Sequence, residues 1–411
     1  MKRNLIYIIG IVLVLLLIGV WGFLLIFGTP VNSNAIFADF GMGSTDEIER
    51  APLPVGTTSE QEITVDLSTS HAQLTTRPVA GYVFLPATAS STPRIRYVEQ
   101  GIGHVYELDL VSGLETRVLG KSFTGITNAV LAPDGEVIVL IAESGTDRTV
   151  YLEVMNSEET HTLPADAANI AFLSSSDVRY TRTEENQLSG YAYDVLDMES
   201  VKLFSVPFTQ ASVVWKLSGT WVYTKPAPFL RGALYRILNG TVARIDEARY
   251  GLSALINDTG TVVALTYGNT KANQLTTHVL VGGETYPVTF PMIPEKCAID
   301  ESSIDPIAGC GGPALLPART YMNEWYRGSI SPSDSLWRVD MLKDTTTRVA
   351  NFTLETGRSI DVTDVAVYED GAYTFFRNKV DGALWLFRNQ EAEVTPDASN
   401  ETASTVSDGD E

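Results

Sequence analysis

The chain has 411 residues, 44% of them hydrophobic and 19% charged, with a formal net charge of −21. Such a composition can bury the core of a large domain and is not that of a chain disordered throughout. The acidity argues against a nucleic-acid partner, which needs a basic surface, and against flat adhesion to anionic lipid.

Leu5 to Phe27 is a run of 23 residues without a charge, preceded by Lys2 and Arg3 and followed first by Asp39. At about 1.5 Å per residue it covers a hydrocarbon layer of about 30 Å. The charge placement puts the N-terminus in the cytoplasm and the remainder outside. The expectation is therefore a single-pass protein of the cell membrane whose contact with the bilayer is residues 5–27. A cleaved signal peptide is the alternative, though its apolar region is usually about 7–15 residues long. The organisation expected is a cytoplasmic tip and anchor over 1–28, a stalk rich in Gly, Pro, Ser, Thr and acids over 29–71, a folded domain over 72–389 and an acidic tail over 390–411.

Within the folded domain one pattern returns. Gly103 to Leu110 has later copies at Thr149 to Met155, Tyr191 to Asp197, Ala233 to Asn239, Thr276 to Gly282, Ser335 to Met341 and Ala383 to Asn389. Aligned, they place Tyr106, Tyr151, Tyr193, Tyr235, His278, Trp337 and Trp385 in register, at intervals of 45, 42, 42, 43, 59 and 48 residues. Turn residues stand at matching places, Asp134-Gly135, Ser176-Asp177, Ser218-Gly219, Thr259-Gly260 and Asp370-Gly371, the first four at intervals of 42, 42 and 41 residues. Short apolar runs precede these turns, as suits strands covered on both faces by neighbouring sheets. A strand-built period of roughly 40–45 residues predicts an all-β fold, a seven-bladed β-propeller of four-stranded blades, preceded by the N-terminal transmembrane helix. The aligned aromatics are expected to pack between blades. The last blade shows three clear strands, so Ala72 to Thr76 is expected to supply its outer strand, with Glu391 to Thr395 as the alternative.

Ala132-Pro133-Asp134-Gly135 between apolar strands, followed by Thr149-Val150-Tyr151-Leu152, resembles the repeat of TolB-like propellers. Several other segments resemble a family of uncharacterised membrane-anchored propeller proteins of candidate-phyla (patescibacterial) bacteria. They are Pro78 to Gly81, Arg96 to Gly101, Gly103 to Tyr106, Glu295-Lys296-Cys297, Trp325-Tyr326-Arg327-Gly328 and Asp334-Ser335-Leu336-Trp337. Tyr321 to Glu324 departs from the Pro-Asp expected before the Trp-Tyr. The resemblance implies an anchored extracytoplasmic propeller and no known activity.

The sequence holds no Gly-x-Ser-x-Gly elbow, no phosphate loop and no regular calcium loop, so no catalytic residue, metal or cofactor is assigned. Two features remain. If the turn of the sixth blade lies near Ser302 to Asp305, Cys297 and Cys310 stand directly opposite in a hairpin, close enough for a disulfide in an oxidising compartment; two free buried thiols are the alternative. The long interval before Trp337 contains an insertion between Gly311 and Ser333 with Tyr321, Trp325, Tyr326 and Arg327. These residue types favour a binding site on a long loop; the same aromatics could instead pack the loop onto the ring. The function expected is non-enzymatic binding or scaffolding of a protein or polymer of the cell envelope. The alternative is a propeller hydrolase or lyase acting on envelope polysaccharide or peptide.

Overall fold

Each of the five turns named above reverses the chain between the first and second strands of a sheet in the computed structural model, which describes residues 63–389 other than Leu316. Gly135 shows why such positions carry glycine: its φ of +72° is a left-handed conformation that side chains with a Cβ rarely adopt. The strands between the turns pair with their sequence neighbours into seven antiparallel sheets, and a small two-stranded ribbon lies beside them. The inner strands are Val79–Leu85, Ile126–Leu131, Ala168–Phe172, Ala211–Lys216, Ser253–Ile256, Cys297–Ile299 and Val362–Tyr368. The described residues thus form the all-β seven-bladed propeller expected from the repeat. No helix among them is long and apolar enough to cross a membrane; the segment 5–27 and the acidic tail lie outside the described residues.

Seven apolar clusters hold the ring, one at each junction between neighbouring blades. The junction of blades seven and one joins Phe84, Tyr97 and Leu108 of the first blade to Phe375, Leu384 and Leu386 of the last. Closure follows from the chain's early residues. His71–Gln73 pairs with the third strand of blade seven, His71 opposite Phe387 and Gln73 opposite Trp385. The expected outer strand was Ala72 to Thr76; the ladder begins one residue sooner, and Leu74 continues it by donating its N–H to the Leu384 carbonyl at 2.8 Å. Glu391 to Thr395 lies outside the described residues.

Two differences from the sequence reading have local causes. Pairing with the ring begins inside the stretch read as stalk: Ile63–Thr64 adds to the open edge of blade one opposite Glu115 and Leu114. An edge strand presents unpaired N–H and C=O groups, and even two residues can satisfy some of them. The second difference concerns the aligned aromatics. All seven fall on third strands, but in blade three Tyr191 rather than Tyr193 stands where Tyr106 and Trp337 stand in their blades: it opposes Tyr180, the fourth residue of the second strand, as Tyr106 opposes Tyr97 and Trp337 opposes Cys310. Tyr191 stacks on Tyr180 as Tyr106 stacks on Tyr97. Residues 191 and 193 share one face of the strand, so a repeat count can settle on either.

Candidate functional site

A four-stranded antiparallel meander brings two kinds of connection to the same end of the ring. One joins the second and third strands of a blade; the other joins the fourth strand to the next blade. On this end, here the upper face, blades four to six are elaborated. Arg231–Gly232 and Arg249–Tyr250 form the two-stranded ribbon. The insertion of blade six folds into a short helix, Tyr321–Tyr326. Before reaching that helix it crosses blade five, where the Leu275 N–H donates to the Pro317 carbonyl and the Arg319 N–H to that of Asn273.

The helix is fixed from below by a buried charge cluster. Lys296, at the entry to the inner strand of blade six, is 1% exposed. Its ammonium donates to Asp334 Oδ2 and to Asp361 Oδ1, both at 2.6 Å, and to the Val362 carbonyl at 3.0 Å. Asp334 precedes the third strand of blade six, and Asp361 precedes the inner strand of blade seven. Asp361 also receives the indole N–H of Trp325 at 2.8 and 3.0 Å and the Ser331 hydroxyl at 2.9 Å. Two ammonium groups approach the Trp325 ring, Lys296 at 4.6 Å and Lys379 at 3.9 Å from its centre. Lys379 also donates to the Trp325 carbonyl at 2.6 Å. Gly311 allows the blades to meet here, since a Cβ on it would collide with the side chain of Val362.

Burial governs the protonation of this region. Desolvation pushes the Asp334 carboxyl up to about 6, against the pull of Lys296. It raises Glu295 as well, although the Tyr326 hydroxyl donates to that carboxylate at 2.7 Å. The Lys379 ammonium is lowered, again chiefly by desolvation. Both aspartates are fully buried: Asp361 serves Lys296, Trp325 and Ser331, while Asp334 accepts from Lys296 and the Val362 N–H through Oδ2 and keeps its Oδ1 without a partner among the described residues.

The four insertion residues therefore separate. Tyr321 and Trp325 are buried, with Leu275, Ile293 and Met322, in a small apolar cluster under the helix. Tyr326 is 39% exposed, and Arg327 is exposed at the helix end. Only the latter two face solvent; the indole packs the loop onto the ring. Sequence reasoning missed Lys296, Asp334 and Asp361 as a unit. One signal was present: Glu295-Lys296-Cys297, Trp325 to Gly328 and Asp334 to Trp337, three of the segments that carried the family resemblance, meet at this cluster. Cys297 and Cys310 stand opposite each other and are joined as a disulfide, next to Lys296 in the chain.

No protein-family model and no curated protein matches the sequence. Among solved structures the ring is similar to an oligogalacturonate lyase from Vibrio parahaemolyticus, at 11% identity and a TM-score of 0.55 over 80% of this chain and 99% of that one. A second oligogalacturonate lyase, in complex with manganese, aligns at 12% identity and a TM-score of 0.50 over 77% and 98% of the two chains. TolB from Acinetobacter baumannii aligns at 16% identity and a TM-score of 0.36 over 52% and 55%. At these identities the likeness to the lyases is one of fold.

Proposed function

We propose that this protein is a binding module, tethered to the cell membrane through residues 5–27 with its propeller outside the cytoplasm, that captures a protein or polymer of the cell envelope without catalysis. The observation that carries this reading is the clamp on the insertion. Trp325, held by Asp361 and contacted by two ammonium groups, fixes the helix and so presents Tyr326 and Arg327 in one arrangement. A recognition surface fixed before binding loses less conformational freedom when the partner arrives. Tyr and Arg are also the residue types on which binding energy concentrates. The Asp361 carboxylate, which holds the insertion, is committed through both oxygens to buried partners, which favours binding over acid–base chemistry.

The test is the double variant Tyr326→Ala/Arg327→Ala in the full chain. Its thermal transition should match the wild type, while its affinity for the envelope fraction retained by the wild type should fall about thirtyfold or more, as loss of an anchoring pair of about 2 kcal/mol requires. Unchanged retention would remove these residues from the binding face. Turnover of envelope glycan or peptide by the purified chain would overturn the non-catalytic reading. Protease added to intact cells should release the propeller; full protection would overturn the orientation.

A further inference from the structure

The net charge of the chain conceals a local reversal. From Lys225 to Arg249 the sequence has five basic residues and two acidic ones, in a protein of net charge −21. The structure gathers part of this stretch on the upper face, over blades four and five. The tip of the loop between the second and third strands of blade four is Phe229-Leu230, each 68% exposed. Soluble surfaces seldom present adjacent large apolar side chains this openly without a partner. Around them stand cations from three segments. Arg231 follows directly and lies 5.0 Å from the centre of the Tyr250 ring. Arg244 lines the same groove as Arg231, with Ile245. Arg319, from the insertion, lies 5.1 Å from the centre of the Phe229 ring. Of the two acids, Asp246 is bound to Arg249 at 2.6 Å and Glu247 is exposed in the groove.

We infer that this patch docks on an anionic lipid surface, with Phe229 and Leu230 entering the headgroup boundary and Arg231, Arg244 and Arg319 meeting lipid phosphates. An exposed aromatic and leucine ringed by arginines match the two layers of that boundary, apolar chains beneath negatively charged headgroups. A nucleic acid would use the cations but not the leucine. The inference rests on the membrane-tethered reading for its reach: a tether keeps the ring at high effective concentration beside the bilayer, so a weak patch suffices to stay engaged. Docking by this loop turns the upper face toward the membrane, and Tyr326 and Arg327 then address partners at its surface.

The experiment uses the full chain with Phe229→Cys carrying an environment-sensitive dye, placed in lipid nanodiscs with or without phosphatidylglycerol. Residue 229 is exposed, so the fold tolerates the label. Retention on the disc through a high-salt wash reads the tether; quenching of the dye by spin-labelled lipid reads the loop. The expected result is quenching in the anionic discs, lost on salt addition and in the Arg231→Glu/Arg319→Glu variant, with the chain still retained. Each arginine should contribute about fivefold in partitioning. A retained chain whose dye is unquenched overturns the inference and leaves the tether standing. If the chain is not retained, the tether reading fails, and co-sedimentation with phosphatidylglycerol vesicles decides: arginine-dependent binding supports the patch, and no binding overturns it.

Discussion

Trp325 donates its indole N–H to both carboxylate oxygens of Asp361, at 2.8 and 3.0 Å, in a site where the indole is 3% exposed. The contact ties the insertion of blade six to the inner strand of blade seven. Trp325→Ala should therefore lower stability by about 3–5 kcal/mol, read in the thermal transition or in denaturant titration. Trp325→Phe should fall between, because it keeps most of the packing and removes only the donor. A variant melting like the wild type would mean that the insertion is not clamped through this residue.

Lys296 and its two aspartates form a unit whose members cannot be removed singly without cost. Lys296→Met leaves two buried carboxylates facing each other and should destabilise by about 3–5 kcal/mol. Adding Asp361→Asn removes one of the stranded charges. The double variant should accordingly lose less than the sum of the single variants, with a coupling of about 0.5–3 kcal/mol. Additive losses would show that the ammonium and the Asp361 carboxylate do not act on each other.

The Asp334 carboxyl gives the same cluster a pH dependence of definite sign. Its value in the folded protein, about 6, lies above the ordinary 3.8 because burial disfavours the charge. The folded state then binds the proton more readily than the unfolded chain, and this group's contribution to stability is full at low pH and is lost as pH rises through about 4 to 6. Asp334→Asn removes the titration while keeping an acceptor for Lys296. The stability of wild type relative to Asp334→Asn should increase as pH falls from 7 to 4, which unfolding measured at each pH reads directly. A constant difference would remove Asp334 as the source.

The ring was legible in the sequence because a blade is a local unit: turn residues, an inner apolar run and an aromatic third strand recur wherever a blade forms. Even the closing strand was visible, since Leu74 precedes Val83 by the spacing that Leu163 keeps from Phe172. Counting failed at Tyr193, because blade three carries tyrosines at both 191 and 193 and the period alone does not say which of them opposes Tyr180. The charge cluster was not legible for a different reason. Lys296, Asp334 and Asp361 lie at strand entries in three separate segments, and only the curvature of the ring brings those entries together. Trp325 shows a further limit. An indole with one apolar body and one donor serves a binding surface or a packed core equally well. Its composition predicts neither; the carboxylate of Asp361, met in the fold, decides.

Ring closure gives the last prediction. Leu74 is 2% exposed and lies in the cluster that joins blade seven to blade one. Its N–H donates to the Leu384 carbonyl at 2.8 Å, while the Leu384 N–H donates to the Thr75 hydroxyl at 3.1 Å. The segment around His71–Gln73 thus covers the edge that blade seven would otherwise expose. Leu74→Ala empties part of that cluster and should cost about 2–5 kcal/mol. Were Glu391 to Thr395 the closing strand instead, Leu74→Ala would be nearly silent and removal of the chain beyond Asn389 would open the ring. Denaturant unfolding of both variants separates the two arrangements: the expected result is a large loss for Leu74→Ala and no loss for the truncation.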